Sequence, residues 1–175
     1  MTDFAPLGGR TVFDGRTFSV SVERFRHPDG EEVEREIVRR QDAVAVVAHD
    51  DEHVWLVRQP REAIGERALE LPAGTLDVAG ESPLDAARRE LAEEIGKAAE
   101  RWEAVLSYHA SSGYTDELVH VYSATGLSDA DADADPGERI EIVRRPLAEL
   151  AGVIAGCRDA KTIIGLGWLM AERGA

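Results

Sequence analysis

Near the N-terminus, hydrophobic and polar residues alternate in the way that predicts a β-hairpin. Phe18, Val20 and Val22 fall on one face of an extended segment, and Val33 opens a second segment. Residues 27–30 between them read His-Pro-Asp-Gly, a turn sequence in which proline presets φ and glycine accepts a positive φ. The pattern therefore predicts a hairpin before the first buried strand.

Short apolar runs predict the strands of a central sheet. The run AVAVVA at residues 43–48 has no polar interruption, which is typical of a strand buried on both faces. Further strands are predicted at residues 54–57, 69–71, 105–109, 118–122 and 140–143.

The period then becomes helical after residue 81. Ser82 and Pro83 have the residue types of an N-cap and a first helical position, and Asp85 completes a capping box. Apolar residues follow at helical spacing, at positions 84, 87, 91 and 95, and Gly96 supplies a stop. A last helix is predicted over residues 159–172. Strands before and after one well-capped helix favour a mixed α/β sandwich over a doubly wound parallel sheet.

The capped helix carries a stripe of three carboxylates. Glu90, Glu93 and Glu94 fall within an arc of about 100° on the helix surface. Like charges at this spacing cost about 0.2–0.5 kcal/mol per pair on an isolated helix. The stripe is either a solvated acidic face relieved by Arg88 and Arg89, or a set of hard oxygen ligands for Mg²⁺ or Mn²⁺ that would also hold substrate phosphates.

Composition narrows the function classes. The 175-residue chain has a net charge of −14, which argues against binding of a nucleic-acid polyanion but permits a small phosphorylated substrate bridged by divalent metal. No run approaches the length of a membrane span. A single cysteine, Cys157, and an N-terminus without a signal-peptide pattern lead us to expect a cytoplasmic protein. The acidic low-complexity segment at 129–137 predicts a surface loop.

The region around the capped helix resembles the Nudix box. In this sequence Gly74 is followed by six residues, Glu81, seven residues, and the run Arg-Glu-Leu-Ala-Glu-Glu-Ile-Gly from Arg89 to Gly96. The family pattern is Gly, five residues, Glu, seven residues, and Arg-Glu-aliphatic-x-Glu-Glu-x-Gly-aliphatic. The chain departs from it in a first spacer that is one residue longer and in Lys97, which replaces the last aliphatic residue.

This resemblance implies a Nudix α/β/α sandwich with a mixed sheet, an N-terminal β-hairpin extension and a divalent-metal-dependent hydrolase activity. It implies that Glu90 and Glu94 bind the metal, Mg²⁺ or Mn²⁺, and that Glu93 either binds it or polarises water. The backbone carbonyl of Ala73 would complete the site. Structural roles are implied for Gly74, Glu81, Arg89 and Gly96, with Arg89 the usual partner of Glu81.

Flanking segments are similar to those of ADP-ribose pyrophosphatases within the family. Residues 57–61 (VRQPR), 69–74 (LELPAG) and 111–117 (SSGYTDE) carry this likeness. The implied activity is hydrolysis of ADP-ribose to AMP and ribose 5-phosphate. The alternatives are another nucleoside diphosphate sugar or a dinucleotide as substrate, or a Nudix module that senses ADP-ribose without cleaving it.

The subfamily resemblance also implies further site residues. Glu117 is a candidate general base or metal-linked group. Glu93 is the rival base, and the structural alternative is that Glu117 is an exposed glutamate entering a strand. Arg61 would hold the diphosphate or terminal ribose, unless it forms a surface salt bridge with Glu62 or Glu66.

The remaining candidate substrate residues are less specific. Arg35 and Glu36 would line the adenine site from the N-terminal segment. Ser111 and Gly113 would let a loop approach the ribose closely, although ordinary turn chemistry also explains them. In the subfamily the N-terminal hairpin crosses to a partner subunit. The resemblance therefore implies a homodimer in which residues 1–40 form a dimerisation extension and residues 41–175 the hydrolase domain.

Overall fold

The structure is a computed structural model that describes residues 3–132 and 139–174, so residues 133–137 of the acidic segment lie outside it. The chain forms two units. The first comprises Met1–Asp42 with Tyr108–Leu118, and the second comprises Ala43–Ser107 with Val119–Ala175. The boundary after residue 40, with its dimerisation role, stays a prediction.

The first unit contains an antiparallel sheet in the order β1–β2–β3, formed by Ala5–Asp14, Ser19–Arg26 and Glu32–Arg39. The predicted hairpin is confirmed as β2 and β3, whose register places Phe25 opposite Val33. At its turn, the backbone N–H of Gly30 donates to the His27 carbonyl at 3.0 Å.

Strand β1 has no counterpart among the predicted elements. Most of its residues are exposed, so no buried face imposes an alternating pattern on the sequence. Its register against β2 shifts between Pro6 and Gly8 and again between Thr11 and Phe13. Such irregularities erase the period of two that identifies a strand.

The second unit is built on a mixed sheet. Its strands are β4 (Ala43–His49), β5 (His53–Arg61), β6 (Glu66–Glu70), β7 (Ala73–Thr75), β8 (Lys97–His109), β9 (Leu118–Asp129) and β10 (Glu141–Pro146). They run in the order β10–β5–β4–β9–β8, with β6 paired to β5 and β7 paired to β4. The pair β4–β9 is parallel, whereas β4–β7, β5–β6 and β5–β10 are antiparallel.

Helices cover both faces of this sheet. Helix α1 (Pro83–Ile95) packs its apolar side on Val44, Val46 and Ala48 of β4. Helix α3 (Ala160–Gly174) packs on the opposite face, where Gly165 lies against Val47. Because side chains alternate along a strand, the uninterrupted apolar run of β4 serves both helices. The predicted α/β/α sandwich is therefore confirmed.

The capping pattern of α1 is present as the sequence predicts. The Ser82 hydroxyl accepts from the backbone N–H of Asp85 at 3.2 Å, and Gly96 ends the helix in the left-handed conformation at φ 63°, where glycine is favoured. Helix α2 (Leu150–Gly156) was not predicted, since its seven residues are too short for a clear helical period. Among the described residues, no helix has the length and apolarity needed to cross a bilayer.

Close packing of α3 on the sheet makes Gly165 sensitive to substitution. A Cβ atom there would lie 2.6 Å from Leu71 Cδ1 and 2.9 Å from Val47 Cγ2. We expect Gly165→Ala to lower the free energy of unfolding, measured in urea, by about 1–3 kcal/mol because it overpacks this contact. In the same helix, Gly167 faces open space, so Gly167→Ala should raise stability by about 0.5–1 kcal/mol. Equal effects of the two substitutions would contradict this packing.

Candidate active site

The Arg89 guanidinium lies at the centre of the acidic stripe on α1. It donates to both carboxylate oxygens of Glu81, at 3.1 and 3.0 Å. Its Nη1 also donates to Glu90 at 2.7 Å and to Glu93 at 3.0 Å. The hydrogen bonds to Glu81, followed by the charge of Glu90, raise the pKa of Arg89 well above its usual range. Arg88 pairs instead with Asp85, at 3.0 Å, so Arg89 relieves the stripe without it.

The longer first spacer of the motif is absorbed by a turn. The Glu81 N–H donates to the Val78 carbonyl at 3.1 Å, and Gly80 inside this turn has φ +82°, a conformation that favours glycine. The turn brings Glu81 within hydrogen-bonding distance of Arg89 despite the extra residue.

Two of the three carboxylates of the stripe are buried rather than solvated. Glu90 is 9% exposed and Glu94 is 5% exposed, whereas the side chain of Glu93 is 34% exposed. Burying a carboxylate is costly unless donors or cations satisfy it. The solvated-face interpretation therefore does not hold for Glu90 and Glu94.

Strand β7 provides the surface on which these carboxylates lie. The Ala73 N–H donates to Glu94 Oε2 at 2.9 Å. A Cβ atom at Gly74 would overlap the Glu90 carboxylate, so glycine is required here for close approach. Antiparallel pairing of Ala73 with Ala45 anchors β7 to the buried strand β4.

This arrangement fits a divalent cation that also binds substrate. No three Asp, Glu, His or Cys side chains within residues 3–132 and 139–174 gather as a metal cage. Mg²⁺ seldom needs such a cage, because it usually binds one or two carboxylates together with waters and substrate phosphates. The buried oxygens of Glu90 and Glu94, beside the Ala73–Gly74 backbone, are hard donors of that kind.

Arg61 is held by a buried carboxylate that sequence analysis did not identify. Its Nε and Nη2 donate to the two oxygens of Glu70, at 2.6 and 2.7 Å, so its partner is neither Glu62 nor Glu66. The Glu70 side chain is only 2% exposed and also contacts Lys161 Nζ. The sequence offered one signal, a charged residue between two leucines of a predicted strand.

The cations around Glu70 set its ionisation. Burial alone would raise the pKa of Glu70, but hydrogen bonds from Arg61 and the charge of Lys161 hold that pKa below its usual value. The hydrogen bonds to Glu70 correspondingly raise the pKa of Arg61. Both Arg61 and Glu70 line a cavity of about 1070 Å³, large enough for a nucleotide-sized ligand.

The other predicted residues lie in the first unit. Glu117 is half-buried rather than exposed, with its carboxylate 3.4 Å from Arg40 Nε. Ser111 serves the turn, because its carbonyl accepts from the N–H groups of Tyr114 and Thr115, at 3.1 and 3.0 Å.

Arg35 and Glu36 are not brought to one site. As neighbours on strand β3, they point to opposite faces of the sheet. Arg35 and Gly113 line a pocket of about 320 Å³ together with Phe4 and Phe25, whereas neither Glu36 nor Ser111 lines it. The predicted adenine contacts of Arg35 and Glu36 stay predictions.

Most of this chain matches a known protein family. The NUDIX domain model matches residues 39–160, a span that includes helix α1 and Gly74. This chain belongs to the Nudix family. Arg89 and the glutamates to which it donates hydrogen bonds are residues of the Nudix box.

Relatives and a solved structure extend this result. An ADP-ribose pyrophosphatase of Mycobacterium tuberculosis is 40% identical over 152 residues, covering 85% of this chain and 73% of the relative. A methanol dehydrogenase activator of Bacillus methanolicus is 36% identical, covering 92% and 89%, and an ADP-ribose pyrophosphatase of Bacillus subtilis is 34% identical, covering 90% and 88%. A crystal structure of an ADP compounds hydrolase has a TM-score of 0.89 at 24% identity, covering 99% of this chain and 96% of that one. This last likeness shows the Nudix fold.

The buried Glu70 predicts a pH-dependent stability. We expect Glu70→Gln to lower the free energy of unfolding at pH 7 by about 1–3 kcal/mol, since it weakens charged hydrogen bonds to Arg61 and Lys161. The pKa of Glu70 is depressed in the folded protein, so its contribution is present above the unfolded pKa, about 4.3, and is lost as pH falls through the folded pKa. Urea unfolding at several pH values should therefore show the gap between wild type and variant narrowing below about pH 4.

The matched control for this variant is Glu66→Gln. Glu66 is exposed and lies 3.5 Å from the exposed Arg158, so its removal should change stability by less than about 1 kcal/mol at any pH. A constant gap between wild type and Glu70→Gln down to acid pH would contradict the assigned ionisation.

Gly74 provides a second test of the site. Gly74→Ala must displace the Glu90 carboxylate, because the added Cβ atom and that carboxylate occupy the same space. We expect a loss of about 1–3 kcal/mol of stability through overpacking, measured by urea unfolding. Gly152→Ala adds a Cβ atom in open space and should not destabilise the protein. If Gly74→Ala were as stable as wild type, the close contact between Gly74 and the Glu90 carboxylate would not contribute to stability.

Proposed function

We propose that this protein hydrolyses the diphosphate of ADP-ribose to AMP and ribose 5-phosphate with the help of a divalent metal ion. The observation that carries the proposal is the burial of Glu90 and Glu94 against Ala73 and Gly74. Two relatives that are at least 34% identical to this chain, and that it covers to at least 73% of their length, are named ADP-ribose pyrophosphatases, which supports this substrate.

The chain's own groups divide the work. Glu90, Glu94 and the Ala73 carbonyl would hold the metal, with Glu93 at the exposed side of the stripe. When bound, the ion would neutralise diphosphate charge and lower the pKa of water. Mg²⁺ is the expected ion, with Mn²⁺ a possible substitute, because both prefer oxygen ligands.

Arg61 would orient the substrate. Glu70 occupies its Nε and Nη2, which leaves the Nη1 edge to donate to a phosphate or ribose oxygen in the adjoining cavity. In the reaction, water oxygen forms a new bond to phosphorus and the bridging phosphorus–oxygen bond breaks. Glu93 and Glu117 are the two candidates to accept the water proton.

The quaternary state and cellular location also belong to this proposal. Strand β1 exposes the large apolar side chains of Val12 and Phe13, at 45% and 51%. A second copy of the chain would cover such a strand, in keeping with a homodimer formed through the N-terminal extension. The cytoplasm is the proposed location, with neither a nucleic acid nor a membrane as partner.

The test is incubation of the purified protein with ADP-ribose and Mg²⁺ or Mn²⁺, followed by chromatography of the products. AMP and ribose 5-phosphate are expected, and removal of metal with a chelator should stop the reaction. GDP-mannose and a dinucleoside polyphosphate, offered in parallel, would reveal a different substrate if they were cleaved faster. Tight binding of ADP-ribose without cleavage would indicate a sensing module instead.

Glu94→Gln is the matched variant for this assay. It should reduce turnover by about 10²–10³-fold, the size typical of losing one electrostatic stabiliser. Its melting temperature should stay similar, because the amide oxygen can still accept from the Ala73 N–H. Full activity of this variant would contradict the role of the stripe.

A further inference from the structure

Residues 71–74, which lie against the carboxylates of Glu90 and Glu94, lead from the end of β6 into the start of β7. Several of their backbone groups bond to other elements of the fold. The buried N–H of Leu71 donates to Thr162 Oγ1 at 2.8 Å. The Pro72 carbonyl accepts from Val46 N at 2.8 Å, and the Ala73 N–H donates to Glu94. Buried backbone groups need such partners, so three different elements hold this short segment.

Thr162 is the partner contributed by α3. Its side chain is completely buried, and its hydroxyl donates to Asp159 Oδ2 at 2.6 Å. Asp159 Oδ2 also accepts from the Thr162 N–H at 3.0 Å. Since the hydroxyl proton is directed to Asp159, a lone pair of Oγ1 faces the Leu71 N–H. The two bonds in series orient one another.

We infer that Thr162, oriented by Asp159, is a positioning residue that holds residues 71–74 against the carboxylates of Glu90 and Glu94. Leu71 lies two residues before Ala73, whose N–H contacts Glu94, and three before Gly74, on which Glu90 lies. A shift of Leu71 would therefore also displace Ala73 and Gly74, against which the two carboxylates lie. For its effect on metal binding, this inference rests on the proposed function.

The alternative partners for the Leu71 N–H are few. Leu71 is completely buried, so water does not reach its N–H, and β6 ends one residue earlier, at Glu70. Removing the Thr162 hydroxyl would leave a buried donor unpaired. The segment would then move to find another acceptor, and the metal site would lose its preformed geometry.

The test is titration of the full-length protein with Mn²⁺, followed calorimetrically, for wild type and Thr162→Val. Valine keeps the shape and removes the hydroxyl. We expect about tenfold weaker Mn²⁺ binding, the lower end of the range for residues that orient metal ligands. Thr162→Ser keeps the hydroxyl and should restore binding close to wild type.

The matched control is Ser123→Ala, which removes a different buried hydroxyl from the same unit. Ser123 is 5% exposed and its hydroxyl lies 3.3 Å from His49 Nε2, with no bond to residues 71–74. Its loss should lower stability without changing Mn²⁺ affinity. If Thr162→Val binds Mn²⁺ like wild type, or if Ser123→Ala weakens binding equally, the inference is overturned.

Should Thr162→Val fail to fold, Thr162→Ala and Thr162→Ser decide the matter, because both lose the methyl group and only serine keeps the hydroxyl. Weaker Mn²⁺ binding by the alanine variant supports the inference, and equal binding overturns it. Wild-type protein that neither binds Mn²⁺ nor cleaves ADP-ribose would overturn the proposed function as well. Unchanged affinities among variants of an active wild type would overturn the positioning role alone.

Discussion

The contact between two buried carboxylates of α1 and the backbone of Ala73–Gly74 is the interaction on which the site depends. Glu90 and Glu94 lie one helical turn apart and are both largely excluded from water, so their charges repel and lack hydration. The Ala73 N–H and the Arg89 guanidinium offset part of this cost. Close approach of helix to strand is possible because position 74 carries no side chain.

The basic residues near this contact are constrained by carboxylates. In a chain of net charge −14, Arg89 is held by Glu81, and both Arg61 and Lys161 are held by Glu70. Loss of a cation beside Glu70 would cost more than the pair itself contributes, because the Glu70 carboxylate, which is 2% exposed, would stay buried without it. These pairs therefore act mainly on geometry, keeping the guanidinium groups in fixed orientations.

In the second unit, the helices on the two faces of the sheet are both hydrogen-bonded to residues 71–74 of the site. Helix α1 supplies the carboxylates from one side of the sheet, and α3 supplies Thr162 and Lys161 from the other. Residues 71–74 run between them and are bonded to both helices and to β4. The stability of the sandwich and the geometry of the site thus have a common origin, since the packed core that holds the two helices also positions the carboxylates of Glu90 and Glu94.

Local sequence determined much of this protein. The caps and apolar spacing of α1, the apolar run of β4 and the hairpin turn act within a few residues, so each could be identified before the structure was known. The stripe of Glu90, Glu93 and Glu94 follows from helical geometry alone, and the spacing of the motif indicated the family.

Only the tertiary structure could decide which distant groups meet. Arg61 pairs with Glu70, which also binds Lys161, rather than with its near neighbours Glu62 and Glu66. Thr162 binds Leu71 across 91 residues of chain. Strand β1, largely exposed and irregular in register, left no periodic pattern to read. Short-range steric and hydrogen-bond preferences depend on residues that are adjacent in the sequence. Contacts between distant residues, such as those of Glu70, form only when the sheet and helices pack.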